Sequence, residues 1–266
     1  MTFKPTILAR DVISVQGPDA TALLDTVLAA TVSGAKPGEI RFNCLLTPQG
    51  KVVDTMFLHR LSNGYVIDCF AGRGQHLVKS LNSFRMRAKV SFEKVPGGVF
   101  VGPADEAPEN ASDDPRLEGL GKRWFELGPM VSGPKSPSYF MMLRKLGIPE
   151  FGLDYMSGDV FPTDVNIDLL GGIDYKKGCF VGQEVASRMK RKGEIRKRTM
   201  QVYLDKDLPR GTSLRQKAGV VGTISSMIAG EGLAMMRMDR MDGDEAMALI
   251  DGYDLRLKIR KPAYVQ

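Results

Sequence analysis

The chain has 266 residues, 43% of them hydrophobic and 26% charged, which predicts a globular protein with a sizeable core. Its net charge of +6 and isoelectric point near 9.2 favour an anionic partner, which would be nucleic acid, phosphate or a polycarboxylate. The longest apolar runs fall well short of the roughly 20 residues of a membrane span, and the N-terminus MTFKPTILARD has neither a secretory nor a transit pattern. We therefore predict a cytoplasmic protein that does not contact a membrane.

The first hundred residues predict an α+β arrangement, in which helices stand on one side of an antiparallel sheet. Alternating apolar residues separated by turn sequences indicate a meander of three strands. The predicted elements are, in chain order, a helix ending near residue 30, strands at 40–46, 52–59 and 65–70, a helix at 74–87, and strands at 89–95 and 99–101.

The rest of the chain divides into an irregular part and a strand-rich part. Residues 150–182 contain many Gly, Asp and Pro residues, and a long irregular stretch of this kind is more often functional than structural. From residue 196 onward, short strands bounded by Gly or Asp predict a small barrel or sandwich. The other predicted elements are a loop at 102–121, helices at 138–146 and 183–191, and strands at 199–204, 219–227, 232–238 and 253–259.

The three cysteines, Cys44, Cys69 and Cys179, lie far apart and form no CxxC motif. This spacing predicts free thiols in a reducing compartment. An iron–sulfur cluster normally takes four cysteine ligands, or two with two histidines, and the only histidines are His59 and His76. We therefore expect no stable cluster and no zinc site on the isolated chain.

The segment KKGCFVGQE at residues 176–184 surrounds one of these cysteines with chemically suggestive neighbours. Two glycines flank Cys179 and allow a tight turn, while two lysines precede it and a helix is predicted to begin just after it. Cations and a helix N-terminus both stabilise a thiolate, so the segment predicts a reactive cysteine. A small buried cysteine in a tight turn explains the same residues, and the residues alone leave both interpretations open.

The pattern K-G-C-[FY]-x-G-Q-E resembles the signature of the YgfZ family, and every fixed position is present here. Other segments of the chain resemble that family as well, so that the likeness extends over nearly the whole chain. These segments are VQGPDA at 15–20, LTPQGK at 46–51, FPTD at 161–164 with Asn166, GTISS at 222–226 and GLA at 232–234.

The resemblance implies a protein related to the glycine-cleavage T-protein. That relation implies three small α+β domains around a central channel, with a C-terminal antiparallel β-barrel, and tetrahydrofolate bound in the channel. It places a discontinuous folate-binding domain at 1–38 and 98–192, an α+β meander domain at 39–97 and the barrel domain at 193–266.

The resemblance also implies functional residues. Cys179 is the implied catalytic residue. The implied folate-binding residues are Asp54, Asp164, Asn166, Tyr175, Lys177, Gly178, Gln183, Glu184 and Arg188.

Two of the implied residues depart from the family patterns. Asp54 is a single acid where the T-protein usually has an Asp-Asp pair, and Asp164 stands where the YgfZ family usually has Glu. A carboxylate can accept two hydrogen bonds from the amino and N–H groups of a pterin, although the shorter Asp164 favours contact through a water. Judged from the sequence pattern alone, Asp54 is more simply a cross-strand or turn carboxylate and Asp164 a capping residue in the irregular stretch.

The segment RMKRKGEIRKR at residues 188–198 carries seven basic residues and one acid. A solvated turn is the ordinary explanation of such a run. An anion site for the glutamate tail of folate is a second interpretation, and nucleic-acid binding is a third. Because no aromatic residues lie among the basic ones, we rank nucleic acid last.

Three functions remain open at this stage. The first is a monomeric accessory protein that binds tetrahydrofolate, with or without a polyglutamate tail, and uses Cys179 in the assembly or repair of [4Fe–4S] enzymes, with iron–sulfur client or assembly proteins as partners. The second is a folate-dependent aminomethyltransferase of the T-protein type, in which Asp54 orients the substrate amine. The third is a basic RNA-binding module.

Overall fold

The structure is a computed structural model that describes residues 3–129, 133, 137–191, 195–250 and 253–265. The helices are α1 (Ala20–Val27), α2 (Gly74–Arg85), α3 (Ser138–Leu146) and α4 (Gln183–Arg191). The strands of the first half are β1 (Thr6–Leu8), β2 (Arg10–Gln16), β3 (Ile40–Leu46), β4 (Val52–Arg60), β5 (Tyr65–Phe70), β6 (Ser91–Val95), β7 (Gly97–Gly102), β8 (Ser112–Asp113) and β9 (Lys122–Leu127). Those of the second half are β10 (Lys197–Tyr203), β11 (Ser213–Gln216), β12 (Gly219–Ile228), β13 (Glu231–Arg237), β14 (Glu245–Ile250) and β15 (Tyr253–Arg260).

The predicted meander forms the larger of two open sheets. Its strand order is β3-β4-β5-β2-β6, and all neighbours are antiparallel. Helices α1 and α2 contribute Leu24, Val27, Leu77 and Leu81 to the apolar core of this sheet. The burial of these side chains at helical spacing on each helix holds both helices against the strands.

A smaller sheet has the order β1-β7-β9-β8 and is also antiparallel. It joins the N-terminal strand to strands that lie about one hundred residues further along the chain. Its residues Leu8 and Val101, with Phe3 just before β1, belong to a core shared with α3 and the irregular segment that follows α3. This shared core positions the irregular segment between the two sheets and the C-terminal part.

A buried ionic network links the two sheets. Asp68 of β5 is fully buried, and its carboxylate accepts hydrogen bonds from Arg10 Nε at 2.8 Å and from Arg123 Nε and Nη2 at 2.9 and 2.5 Å. His59 Nε2 lies 2.8 Å from the same carboxylate. Burial alone would raise the pKa of Asp68, but the positive charges of Arg123 and Arg10 hold that pKa well below its usual range.

The network continues into the irregular segment through a second carboxylate. Glu150 accepts hydrogen bonds from Arg10 Nη1 at 3.1 Å and from Arg116 Nη1 at 2.8 Å. Arg116 also pairs with Asp114, and the guanidinium of Arg123 stacks over a phenylalanine ring at 3.7 Å. Buried arginines of this kind are tolerated because carboxylates and an aromatic face replace their hydration.

The C-terminal strands close into a six-stranded antiparallel barrel in the order β10-β13-β12-β11-β14-β15. Its interior is apolar and includes Leu214, Ile224, Ala234 and Met236. The prediction of a C-terminal antiparallel barrel is therefore confirmed. Strand β11 was absent from the sequence prediction because it has four residues and three of them are polar, and β14 was absent because its sequence EAMALI is rich in residues of low strand propensity.

The predicted domain boundaries stay a prediction. The boundary at Gly193 lies outside the described residues, which resume at residue 195. Strand β2 belongs to the predicted discontinuous domain, yet it pairs with β5 and β6 of the meander sheet. Within the described part of the chain, no helix is both long and apolar enough to cross a membrane.

Candidate functional site

A cavity of about 430 Å³ lies where the meander sheet, the irregular segment and the barrel meet. The LTPQGK turn between β3 and β4 supplies one wall, the segment after β9 and α3 supplies a second, and α4 with the start of β10 supplies the third. Its volume is within the usual range for a small-molecule site. The lining residues are Lys51, Phe161, Thr163, Asp164, Met189, Ile195, Arg196 and Lys197.

Asp164 is the acid among the described lining residues of this cavity, and it is only 6% exposed. Its Oδ2 accepts a hydrogen bond from the Phe161 N–H at 3.0 Å, while its Oδ1 has no hydrogen-bond partner among the described residues. Burial raises the pKa of Asp164 and outweighs both that hydrogen bond and the nearby charges of Lys197 and Lys51. A half-satisfied carboxylate of this kind can accept hydrogen bonds from a ligand that carries N–H groups.

The other walls of the cavity combine apolar surface with positive charge. The Lys51 ammonium lies 4.0 Å from the centre of the Phe161 ring and donates a hydrogen bond to the Asp159 carbonyl at 2.9 Å. The Thr163 hydroxyl is buried and has no hydrogen-bond partner in the part of the chain that the structure describes. An unpaired buried hydroxyl is costly unless a ligand or water completes it, so the cavity favours a polar, partly aromatic occupant.

The cysteine loop packs against the LTPQGK turn at one glycine. Gly182 has a φ of +80°, and a Cβ placed on it would lie 2.5 Å from the Thr47 carbonyl oxygen and 3.2 Å from the Gly50 Cα. Helix α4 begins at the next residue, and Cys179 on the preceding turn is exposed. The turn thus connects the loop to Lys51 at the cavity, although Cys179 is not itself among the cavity-lining residues.

This packing predicts a clear difference between the two glycines of the motif. We expect Gly182→Ala to displace the loop or to destabilise the fold by about 1–3 kcal/mol, because alanine fits neither the left-handed backbone nor the space beside Thr47. Urea unfolding and the proteolysis rate of the loop measure both effects.

Gly178→Ala is the matched control for that substitution. A Cβ at Gly178 would meet no atom within 4 Å, and the residue has no positive φ. We expect its unfolding curve to overlay that of the wild type, and an equal loss in the two variants would show that the Gly182–Thr47 contact is not what holds the loop.

The two lysines before the cysteine differ in what they contact. Lys177 Nζ donates hydrogen bonds to the carbonyls of Leu28 and Ala30 at 2.9 and 3.1 Å, and it lies 3.8 Å from an Asp25 oxygen. Burial lowers the pKa of Lys177 and outweighs the attraction of Asp25. The expectation that both lysines act on the Cys179 sulfur therefore needs correction, because Lys177 anchors the loop to the segment after α1.

Asp54 lies away from the cavity. Its fully buried carboxylate receives a bidentate pair of hydrogen bonds from Arg73, with Nε–Oδ1 at 3.0 Å and Nη2–Oδ2 at 2.8 Å. Both oxygens of this carboxylate are engaged by the guanidinium, so they do not offer a ready hydrogen-bond acceptor to a ligand. The structure therefore assigns Asp54 a contact at the start of α2 and does not bring it together with Asp164.

The other predicted residues lie around the irregular segment and α4. Asn166 is buried with a φ of +57°, and its Nδ2 donates to the Thr199 carbonyl at 2.9 Å and to the Tyr264 hydroxyl at 3.2 Å, while its Oδ1 has no partner. The Tyr175 hydroxyl is also buried without a partner, and the Lys190 ammonium lies 4.2 Å from the centre of its ring. Asn166 therefore fastens the irregular segment to the barrel.

Helix α4 carries three more of the predicted residues in its first two turns. Gln183 Nε2 donates to the Lys177 carbonyl at 3.4 Å, which helps to close the cysteine loop. Glu184 and Arg188 are exposed on the helix surface. None of the three lines the cavity, whereas Met189 of the same helix does.

The sequence interpretation did not name most of the cavity-lining residues. Lys51, Phe161 and Thr163 stand inside segments that carried the family resemblance, so that signal could have found them. Met189 and Ile195 carry no polar group, and only the folded chain shows that they face the same cavity.

Comparison with known proteins agrees with this architecture. Residues 196–266 match the family described as CAF17, C-terminal beta-barrel domain. The chain is 28% identical over 232 residues to the mitochondrial iron–sulfur cluster assembly factor IBA57 homolog of Neurospora crassa, covering 74% of this chain and 53% of that protein. It is 25% identical over 293 residues to the mitochondrial iron–sulfur cluster assembly factor IBA57 of Homo sapiens, covering 95% and 82% of the two chains.

A solved structure extends the comparison to the whole fold. The glycine cleavage system aminomethyltransferase T from Bartonella henselae superposes with a TM-score of 0.76 at 15% sequence identity, covering 98% of this chain and 86% of that one. The predicted T-protein-like α+β fold with a C-terminal barrel is confirmed. The chain is similar to the IBA57 proteins in sequence and to the aminomethyltransferase in fold.

Two facts qualify the comparison with the IBA57 relatives. The chain covers 53% and 56% of the lengths of the homologs from Neurospora crassa and Pyricularia oryzae, which is about half of each. The human, mouse and Neurospora IBA57 proteins are all named as mitochondrial. The prediction of a cytoplasmic location is therefore wrong, since these names point to mitochondria.

Proposed function

We propose that this YgfZ/IBA57 relative is an assembly or repair factor for iron–sulfur enzymes that binds a reduced folate in the Asp164 cavity and presents Cys179 on a separate, exposed loop. The observation that carries the proposal is the cavity itself, with a buried, half-satisfied carboxylate between positively charged and apolar walls. The names of the IBA57 relatives support the iron–sulfur part of the proposal.

The residues of the cavity fit a folate. The free Asp164 oxygen suits the amino and N–H groups of a pterin, and the unpaired Thr163 hydroxyl offers a further hydrogen bond. Phe161 and Met189 provide surface for the flat ring system, while Lys197 suits the carboxylates of the glutamate part. Tetrahydrofolate would supply one-carbon or reducing chemistry when bound.

Cys179 supplies a soft sulfur ligand on an exposed loop. A cluster that is delivered or repaired needs about four such ligands, so one thiol would contact it only together with ligands from a client or an assembly protein. In this arrangement Gly182 and Lys177 hold the loop, and the turn that ends at Lys51 connects it to the folate cavity.

We expect calorimetric titration to show that the protein binds tetrahydrofolate and that Asp164→Asn weakens this binding about tenfold, because an amide accepts less strongly than a carboxylate. The wild-type affinity should fall on acidification at a pH above the ordinary carboxyl range, since burial raises the pKa of Asp164 and the protonated acid no longer accepts two hydrogen bonds.

Asp159→Asn is the control for Asp164→Asn, because it removes the same charge from an exposed residue close to the cavity. Its affinity should equal that of the wild type. No heat of binding for wild-type protein would reject folate as the occupant, and equal affinities of the two Asn variants would reject the role of Asp164.

The alternatives have less support. An aminomethyltransferase that uses Asp54 is disfavoured because that carboxylate is paired with Arg73 outside the cavity. An RNA-binding surface at residues 188–198 is disfavoured because the basic side chains of this run make different contacts and do not form one exposed surface. Arg198 is buried against Asp168, Lys190 covers the Tyr175 ring, and Lys197 lines the cavity.

A further inference from the structure

A second cavity of about 450 Å³ lies beside strands β12 and β13 of the barrel. It is formed by β12, β13, the loop before β11 and the start of β10, together with one residue of the irregular segment. Its lining residues are Asp154, Lys197, Arg210, Gly211, Val220, Gly222, Thr223, Ile224, Ser225, Met235, Arg237 and Arg240.

Positive charge dominates this barrel cavity. Four of its lining residues are cationic, namely Lys197, Arg210, Arg237 and Arg240, and Asp154 is the one acid among them. Charge of one sign in a concave site raises the local concentration of ligands of the opposite sign. The cavity therefore favours the binding of an anion with more than one negative group.

The single acid does not offset these cations, because it already has partners. Asp154 Oδ1 lies 3.5 Å from Arg144 Nη2 and accepts a hydrogen bond from the Ser226 hydroxyl. Arg144 is almost fully buried, and its Nε and Nη1 have no hydrogen-bond partner. The Asp154–Arg144 pair is thus neutral overall, and two of the N–H groups of Arg144 lack hydrogen-bond acceptors among the described residues.

Strand register brings two of the cations face to face. Lys197 of β10 is directly opposite Arg237 of β13 in the antiparallel ladder. Like charges at directly opposite positions repel one another. Arg237 has an ion pair with Asp239 at 2.7 Å, but neither Lys197 nor Arg240 forms an ion pair with another described residue. An anion bound between them would remove this repulsion.

The barrel cavity adjoins the Asp164 cavity, since Lys197 lines both. A ligand whose ring system lies beside Asp164 therefore has a cationic path toward the barrel. We propose that the barrel cavity binds the oligo-γ-glutamate tail of the folate, an inference that rests on the proposed function. Arginine guanidinium groups suit this task because they bind carboxylates in a bidentate manner.

This inference relocates the tail site expected from the sequence. Among the described residues of the basic run at 188–198, Lys197 lines the barrel cavity and the exposed Arg188 on α4 does not. The remaining cations, Arg210, Arg237 and Arg240, come from barrel loops and strands that are distant in the sequence.

The test compares tetrahydrofolate carrying one glutamate with its pentaglutamate form, by calorimetric titration at low and high salt. Wild-type protein should bind the pentaglutamate about tenfold more tightly at low salt, with the preference fading at high salt. The double variant R237Q/R240Q should lose the preference and keep the wild-type affinity for the monoglutamate. R260Q is the matched control, since it removes an exposed arginine of β15 that does not line the cavity.

The outcomes separate this inference from the proposed function. Equal affinity for the two forms, or a preference that survives in R237Q/R240Q, would overturn the tail site while leaving folate binding intact. Free penta-γ-glutamate is the third probe, and binding to wild type that R237Q/R240Q lacks would support the tail site. If the monoglutamate does not bind at all, the proposed folate function fails instead.

Discussion

The Cys179→Ala protein is expected to fail to restore the activity of a radical [4Fe–4S] enzyme in cells that lack the protein, while it binds tetrahydrofolate with an affinity within about twofold of the wild type. The reason is that the Cys179 thiol and the proposed folate cavity are separate. The thiol is exposed on its loop and does not line the cavity that holds Asp164. An exposed substitution of this kind should also leave the free energy of unfolding within about 0.5 kcal/mol.

Two further variants make this result specific. Cys179→Ser keeps the size of the side chain and removes the soft sulfur ligand, so it should fail in the same way. Ser187→Ala changes a small polar residue of α4 and should restore full activity. Full activity of Cys179→Ala would refute the role of the thiol, and parallel loss of folate binding would indicate a structural role.

The second large effect is expected at Asp68, far from the cavity. Asp68→Asn leaves Arg10 and Arg123 buried beside a neutral amide, and breaking a buried pair in this way costs about 3–5 kcal/mol. Urea unfolding should show a matching fall in the midpoint with little change in slope. Asp239→Asn is the control, because its ion pair with Arg237 is exposed and its removal should not change the midpoint measurably.

The same carboxylate predicts how stability depends on pH. Because the folded protein holds the pKa of Asp68 well below the ordinary value of about 3.9, its stabilising contribution is complete above that value. The contribution is lost as the pH falls below about 4 toward the depressed folded pKa. Wild type should therefore lose stability steeply in acid, and Asp68→Asn should show a flatter profile over that range. Parallel profiles would mean that Asp68 is not ionised in the folded protein.

Local patterns were sufficient to predict the elements whose partners are close in sequence. The meander of β3, β4 and β5 follows from alternation and turn residues, and the barrel follows from short strands separated by Gly and Asp. The pairing of β2 between β5 and β6 is non-local, and no spacing rule reveals it. The Asp68 network is invisible for a similar reason, since Arg10 on β2 and Arg123 on β9 of the smaller sheet lie 58 and 55 residues from Asp68 in the sequence.

The candidate site was predicted in part. The resemblance pointed to Asp164, which does line the cavity, and to Asp54, which does not. Spacing suggested that both lysines before Cys179 act on its sulfur, but the carbonyl oxygens of Leu28 and Ala30 compete for the Lys177 ammonium. The local sequence around Cys179 does not show that carbonyl groups about 150 residues away bind the Lys177 ammonium.

The position of β2 at residues 10–16 has a consequence for the newly made chain. Its two neighbours in the sheet are β5 and β6, and the second of these ends only at Val95. During synthesis the strand emerges early and must remain unpaired on one or both edges until its partners appear, which exposes it to chaperones and to pairing with other copies. Strand β10 of the barrel has one such late partner as well, because it pairs with β15 at residues 253–260, whereas its other neighbour β13 ends at Arg237 and emerges sooner.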